Sequence, residues 1–296
     1  MQFRTDLAIE TREMNGTGRL KGVVEEHSEA YGMNITRIHI TNEEGAEQLG
    51  KAIGTYITVE IPPLTDYAEN QRMEALAEEI KKMLPEEGLV LIAGLGNYQV
   101  TPDALGPKTA SLTFATRHIQ GEIARSTGLS DLRPVAVLAP GVLGQTGMET
   151  GEILASLCKE LKPAAVIVVD AMASRKTERV GTTIQICDTG ISPGSGVGNA
   201  RPQLNRETLG VPVIAMGVPT VVDAKTLAAD LAIQSGAQES AAEKIQNSAE
   251  PHGTAMIVTP REIDLLIERA AKLLSLAINT ALHPNFTPED FALLVG

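Results

Sequence analysis

The sequence predicts an α/β protein with a mainly parallel, twisted sheet and helices on both faces. Short, uniformly apolar runs recur at residues 89–93, 134–138, 164–169 and 212–218. Such runs suit strands buried on both faces. Helical periodicity falls between them, so strand and helix alternate through the middle of the chain. Glycine and proline gather where the runs end, and the sequence holds no internal repeat.

Taken in order, residues 1–34 are polar and charged and carry Gly16, Gly18, Gly22 and Gly32. They read as an arm followed by irregular structure or a short helix. Residues 35–40 (ITRIHI) alternate apolar and polar, the pattern of a half-buried strand, and residues 54–61 (GTYITVEI) repeat it before Pro62-Pro63. The two predict a hairpin or edge pair with an acidic turn around Glu43 and Glu44. Residues 68–84 place Met73, Leu76, Ala77, Ile80 and Leu84 on one helical face. The strand at 89–93 hands over through Gly94, Gly96 and Asn97 to Thr101-Pro102-Asp103, and a helix is expected to about Arg125. The strand at 134–138 leads to a helix capped by Thr146 or Thr150 and reaching Leu161. Glu149 and Glu152 favour its first turn. The run at 164–169 ends on Asp170, and residues 182–187 alternate and end on Asp188. The run at 212–218 ends at Pro219-Thr220, before a helix at 222–234. Residues 235–253, polar and rich in Gly, Ser and Gln, read as a mobile loop. Thr259-Pro260-Arg261-Glu262 opens a last long helix to about Ala281, with Thr259 as cap and Pro260 at its first position. The expected organisation is one domain, 1–296, in which 1–62 form an arm and hairpin and 63–296 an α/β core.

Composition narrows the function. There is no Trp and only 3% of residues are aromatic, so Ala, Val, Ile and Leu must build the core. A net charge of −12 and a pI near 5.0 oppose direct nucleic-acid binding. The first residues carry charges where a signal peptide needs an apolar stretch, and no window holds the ~18 apolar residues of a membrane span. A cytoplasmic protein is expected. Cys158 and Cys187 read as small buried thiols. His27, His39, His118, His252 and His283 show no metal-ligand spacing and no Ser–His pattern, so neither metal nor cofactor is expected. His118 reads as structural, on the helix after Asp103.

Asp103 and Asp170 form the candidate catalytic pair. Each follows directly on an apolar run, and in open α/β sheets ligands bind outside the carboxyl ends of the strands. A single aspartate there commonly caps the next helix. Two on buried strands of one sheet do more, because close carboxylates cannot both ionise freely and one keeps its proton. The pair then offers a base to activate water and an acid to protonate a leaving amine. Asp188-Thr189-Gly190 matches the triplet of pepsin-like proteases, which need two copies on β-barrel lobes. A single copy in an α/β pattern reads as an aspartate holding backbone amides in a turn. GLGN at 94–97 lacks the third glycine of a dinucleotide fingerprint. GISPGSGVGN at 190–199 offers free amides without the Lys-Ser/Thr of a phosphate loop, and reads as a loop lining the site. For Ser174, Arg175 and Arg179 the choice lies between solvated charges and contact with an acidic peptide side chain. Arg175, Asn97 and Glu149 are the candidate substrate-binding residues.

Longer motifs carry a family resemblance. RTDLAIE at 4–10, GLGNYQVTPDALGP at 94–107, TRHI at 116–119 and PGVLGQTGMETGEI at 140–153 resemble the germination protease of spore-forming bacteria. So do VVDAMASRKTERVGTTIQICDTGISPGSGVGN at 168–199, ETLGVPVIAMGVPTVVDA at 207–224, MIVTPREID at 256–264 and NTALHP at 279–284. The resemblance implies an endopeptidase that degrades small acid-soluble spore proteins, which coat DNA, early in germination. It implies an atypical aspartic-type protease whose essential aspartates fall on Asp103 and Asp170. It further implies an inactive precursor with an N-terminal pro-segment, a homotetramer, and a location in the forespore or spore core. The family's fold is similar to that of hydrogenase-maturation endopeptidases (phosphorylase/hydrolase-like), in which the two equivalent acids bind metal. Three residues precede Arg4, so little or no pro-segment is expected, and residues 225–255 look short beside the family's insert. Two other readings keep the crevice: a metal-dependent maturation-type peptidase, needing a further His or carboxylate beside the pair, and a non-catalytic regulator that binds peptide or nucleotide.

Overall fold

The structure, a computed structural model, describes residues 4–16, 18–64, 69–119, 121–127, 129, 132–198, 201–248 and 255–295. The chain enters on helix α1 (Ala8–Met14), strands β1 (Val23–Ala30) and β2 (Met33–Ile40), helix α2 (Glu43–Leu49) and strand β3 (Gly54–Glu60). Next come α3 (Glu69–Met83), β4 (Val90–Gly94), a 3-10 turn at Thr101–Asp103, α4 (Leu105–Ser111), α5 (Gly121–Thr127) and β5 (Val135–Leu138). They are followed by α6 (Leu143–Thr146), α7 (Thr150–Leu161), β6 (Ala165–Ser174), β7 (Thr183–Cys187), α8 (Arg206–Leu209) and β8 (Val213–Asp223). The chain closes with α9 (Ala224–Gln234), α10 (Glu239–Gln246), β9 (Ile257–Val258), α11 (Ile263–Leu282) and α12 (Pro288–Val295).

Among the described residues one nine-stranded sheet runs in the order β1-β2-β3-β7-β8-β6-β4-β5, with β9 paired to the end of β8. β8, β6, β4 and β5 are mutually parallel. These are the four uniformly apolar runs, and the site lies on them. β7, β3, β2 and β1 extend the sheet antiparallel. Alternation along β6 explains why its run is apolar throughout. Ile167 and Val169 join one core with α3, α4 and α11, whereas Val166 and Val168 join another with Leu154 and Cys158 of α7. A third cluster packs Leu7, Ala8 and Ile9 against Ile38, Ile40 and Tyr56. No helix among the described residues is long and apolar enough to cross a membrane.

Several sequence expectations are corrected. β1 falls in the segment that reads as an irregular arm, because VVEEHSEA is exposed along most of its length; pairing with β2 alone makes it a strand. Glu43 and Glu44 open α2, capped by Asn42 accepting from Gly45 N, and do not form a hairpin turn. The helix expected to Arg125 stops at Ser111. Ser111 and Thr113 hydroxyls bond back to Lys108 and Thr109 carbonyls, and Asn279 Oδ1 takes the Phe114 N–H. His118 consequently sits exposed in a turn, off that helix. Within 235–253, α10 is a helix because Ala242 and Ile245 pack on Ala229 and Ile233 of α9; residues 249–253 lie outside the described set. Neither threonine caps α7, whose N-cap is Glu149. Nor does Thr259 cap α11: its hydroxyl donates to Thr220 O instead.

β6 and β8 both run past their expected ends. Asp170 lies inside β6, opposite Gly217. β8 continues through Pro219 because the register slips there: Met172 faces Pro219, and Ala173 already faces Val221. Thr220 is the extra residue of a β-bulge, where a proline is tolerated.

The carboxyl end of α11 carries His283 among Phe114, Phe286 and Phe291, at ring-centroid distances of 5.8, 6.3 and 6.4 Å. Burial first and the Arg133 charge second lower its pKa to about 4. A group whose folded pKa lies below its unfolded value adds stability above the unfolded value and loses it as pH falls. Thermal denaturation should therefore show a stability loss between pH ~6.5 and 4 that is reduced in His283→Leu.

Candidate active site

Asp103 is presented by glycines. Gly94 and Gly106 let α4 lie directly on β4: a Cβ on Gly94 would fall closer than 3.0 Å to the Gly106 carbonyl. One on Gly106 would meet the Leu95 and Val169 backbones just as closely. Gly96, at φ +110°, turns the chain so that Asn97 N donates to Asp103 Oδ2 over 2.7 Å. The 3-10 turn is tied to β8 by Thr220 Oγ1 donating to the Pro102 carbonyl at 2.8 Å.

Asp170 comes from the neighbouring strand. It is buried, and its Oδ1 accepts the Ala171 N–H at 2.9 Å. Across the ladder, a Cβ on Gly217 would press on the Asp170 carbonyl and the Met172 side chain. Burial pushes the Asp170 carboxyl well above the usual carboxylate range, and the charges of Asp103 and then Asp6 push it further. Asp103 is raised by burial, opposed by its bond from Asn97. Both carboxyls are thus raised, Asp170 the more strongly because it is the more deeply buried and faces the other two acids.

Both aspartates line one cleft of about 420 Å³. Asn97 and Glu149 line it too, as do Pro193, Gly194 and Gly196 of the glycine-rich loop. Asn97 Oδ1 accepts from Gln145 Nε2 at 2.7 Å, and Glu149 pairs with Arg201 at 3.4 Å. Arg175 is not brought there: its guanidinium is engaged by Asp230 at 2.6 Å and its N–H by Glu10. Nor is Arg179 a solvated charge; it is buried among Glu10, Glu13 and Glu60. Asp188 does hold a backbone amide, but that of Thr55 on the neighbouring strand β3, at 2.7 Å.

Sequence reasoning missed Asp6. Its Oδ2 accepts the Ala173 N–H at 2.8 Å and its Oδ1 the Ser195 hydroxyl at 2.7 Å. The segment is held by Glu10, which is 1% exposed and receives the N–H groups of Arg175 and Lys176, and by Arg4 paired with Asp223 at 3.1 Å. The only signal was the buried-looking motif RTDLAIE; nothing local said what it packs on. Among the described residues no three His, Cys, Asp or Glu side chains are grouped to hold a metal ion, and both Asp6 oxygens are already bonded within the protein.

An α/β sheet with a cleft at the carboxyl ends of its parallel strands, lined by the buried Asp170 and the half-buried Asp103, has the paired acids that an enzyme of the hydrolase class can use. The family described as germination protease matches residues 4–235 by its sequence profile. The germination protease of Clostridium perfringens is 43% identical over 316 aligned residues, covering 97% of each chain. That of Caldanaerobacter subterraneus is 42% identical, covering 97% of this chain and 96% of its own. This chain belongs to the germination protease family. Among solved structures, a nickel–iron hydrogenase maturation protease from Thermococcus kodakarensis superposes with a TM-score of 0.38 at 20% identity, covering 69% of this chain and 98% of its own.

Proposed function

We propose that the chain is an aspartic-type endopeptidase acting on small acid-soluble spore proteins through Asp103 and Asp170. The observation that carries the mechanism is the unequal pair: a buried Asp170 facing the negative charge of Asp103 in one cleft. Asp103, as carboxylate, takes a proton from water while the water oxygen attacks the peptide carbonyl carbon. Asp170, as acid, gives its proton to the departing nitrogen as the C–N bond breaks. The products are a carboxylic acid and an amine, and the pair returns to its starting state by moving one proton from Asp103 to Asp170. Asn97 orients Asp103, and Asn97 and Glu149 contact the substrate backbone. All 296 residues act as one peptidase domain in the spore core. The precursor form and the homotetramer rest on the family resemblance; sedimentation of the purified chain tests the latter.

The deciding experiment incubates the protein with a small acid-soluble spore protein in the presence of chelator and reads fragments by mass spectrometry. Discrete fragments are expected. An intact substrate that is cut only after divalent metal is added would overturn the dyad in favour of a metal-dependent enzyme.

Asp6 gives the pair a second test. Its charge raises Asp170, so Asp6→Asn should lower the pKa of Asp170 and move the alkaline limb of the kcat/KM profile to lower pH. The acid limb, set by Asp103, should stay in place.

A further inference from the structure

β9 forms a short free edge at the mouth of the cleft. Val222 faces Val258 and Asp223 faces Ile257 across the antiparallel ladder. Ala224 N donates to the Met256 carbonyl at 3.0 Å, which makes 224 and 256 a bonded pair. Bonded and non-bonded pairs alternate along such a ladder, so Asp223 and Ile257 are a non-bonded pair. The N–H and C=O of Ile257 therefore face away from β8, on a side where no described strand pairs. Ile257 also lines the cleft that holds Asp103 and Asp170.

The chemistry of this edge differs from that of the sheet's far border. There β1 carries Glu25, Glu26, His27 and Glu29, charges that discourage pairing with another strand. Met256, Ile257 and Val258 carry none, and they are 52%, 44% and 42% exposed. Val100, 45% exposed, is another apolar residue lining that cleft.

We propose that Ile257 is a backbone docking point on which an extended segment of the protein substrate pairs as an added strand, laying its scissile bond across the aspartate pair. This rests on the carboxyl-pair reading of the cleft. Val221, Thr220 and Pro102 line the same cleft as Ile257 and Asp103, and Thr220 is bonded to Pro102, so a segment on β9 enters the cleft that holds the catalytic groups. An added strand lies ~4.8 Å from its neighbour. Only an unpaired, extended polypeptide has N–H and C=O groups free to meet those of Ile257. A second copy of this chain fits poorly, because two residues of edge are far less than the ~1,000 Å² of a stable interface.

The first test is steady-state cleavage of a small acid-soluble spore protein by Ile257→Pro. Proline removes an N–H that no described strand accepts, on an edge that tolerates it. KM should rise about tenfold, as one lost hydrogen bond predicts, with kcat within about twofold and an unchanged melting temperature; Ile257→Val should restore KM. A folded Ile257→Pro with wild-type KM overturns the proposal. The second test needs neither that variant nor catalysis. In Asp103→Asn saturated with the same spore protein, exchange of the Ile257 amide should slow about tenfold or more. Binding without that slowing, or no binding, overturns docking on β9. Cleavage surviving in Asp103→Asn would instead strike at the dyad and leave the amide result to be read separately.

Discussion

Replacing Asp103 by Asn is expected to lower kcat about a thousandfold or more, and Asp170→Asn should do the same. The two losses have different causes. In Asp103→Asn the new amide would keep a side-chain oxygen for the Asn97 N–H but have no charge with which to take a proton from water. In Asp170→Asn the amide would keep the shape of a protonated carboxyl and lose the proton that the leaving amine needs. Their stability effects should differ too. Asp170 has a folded pKa raised above its unfolded value, so its contribution is present at low pH and is lost as pH rises through the folded value. A neutral amide removes that loss, and Asp170→Asn should be at least as heat-stable as the parent in alkaline buffer. Thermal denaturation beside single-turnover kinetics checks both parts. A double variant no worse than either single one would mark the two acids as a unit. Retained hydrolysis in either single variant would refute the dyad.

Gly106→Ala should have the largest effect on folding. The added Cβ would press on the Leu95 N and O and on the Val169 carbonyl, all of them backbone. Leu95 N donates to that same Val169 carbonyl at 2.8 Å, so the clash falls on the link between β4 and β6. No side chain can turn aside to relieve it. The cost should be about 3 kcal/mol or more, which for a chain of this size lowers the melting temperature by roughly 6–12 °C. Because α4 would be pushed outward, Asp103 should also leave its bond from Asn97, and activity should fall even below the melting transition. Gly144→Ala is the control, since nothing lies within 4 Å of its Cβ.

Part of this site could be read directly from the chain. A strand buried on both faces favours apolar residues, so β4, β6 and β8 announced themselves, as did one aspartate in the turn after β4 and one at the end of the apolar run of β6. The antiparallel half was half legible: β2, β3 and β7 alternate in polarity, although β7 is buried throughout, its Gln185 taking the Ala8 N–H. β1 was illegible, because an exposed edge strand has the composition of a loop. Strand ends were misread where local signals compete with pairing. Asp170 and Pro219 look like terminators, yet the β6–β8 ladder carries both strands past them by way of a bulge.

The sequence by itself determined the class of fold, the two aspartates and the family, because each is written in contiguous residues. Only the tertiary structure decided which groups surround the pair. It brought Asp6 to Ala173, 167 residues away, committed Arg175 to Asp230, and turned the Ile257 backbone outward. The physical reason is that a carboxyl's proton affinity and a backbone's freedom to bind depend on burial, charge and pairing across the sheet. Those quantities are set by neighbours in space, which local sequence does not specify.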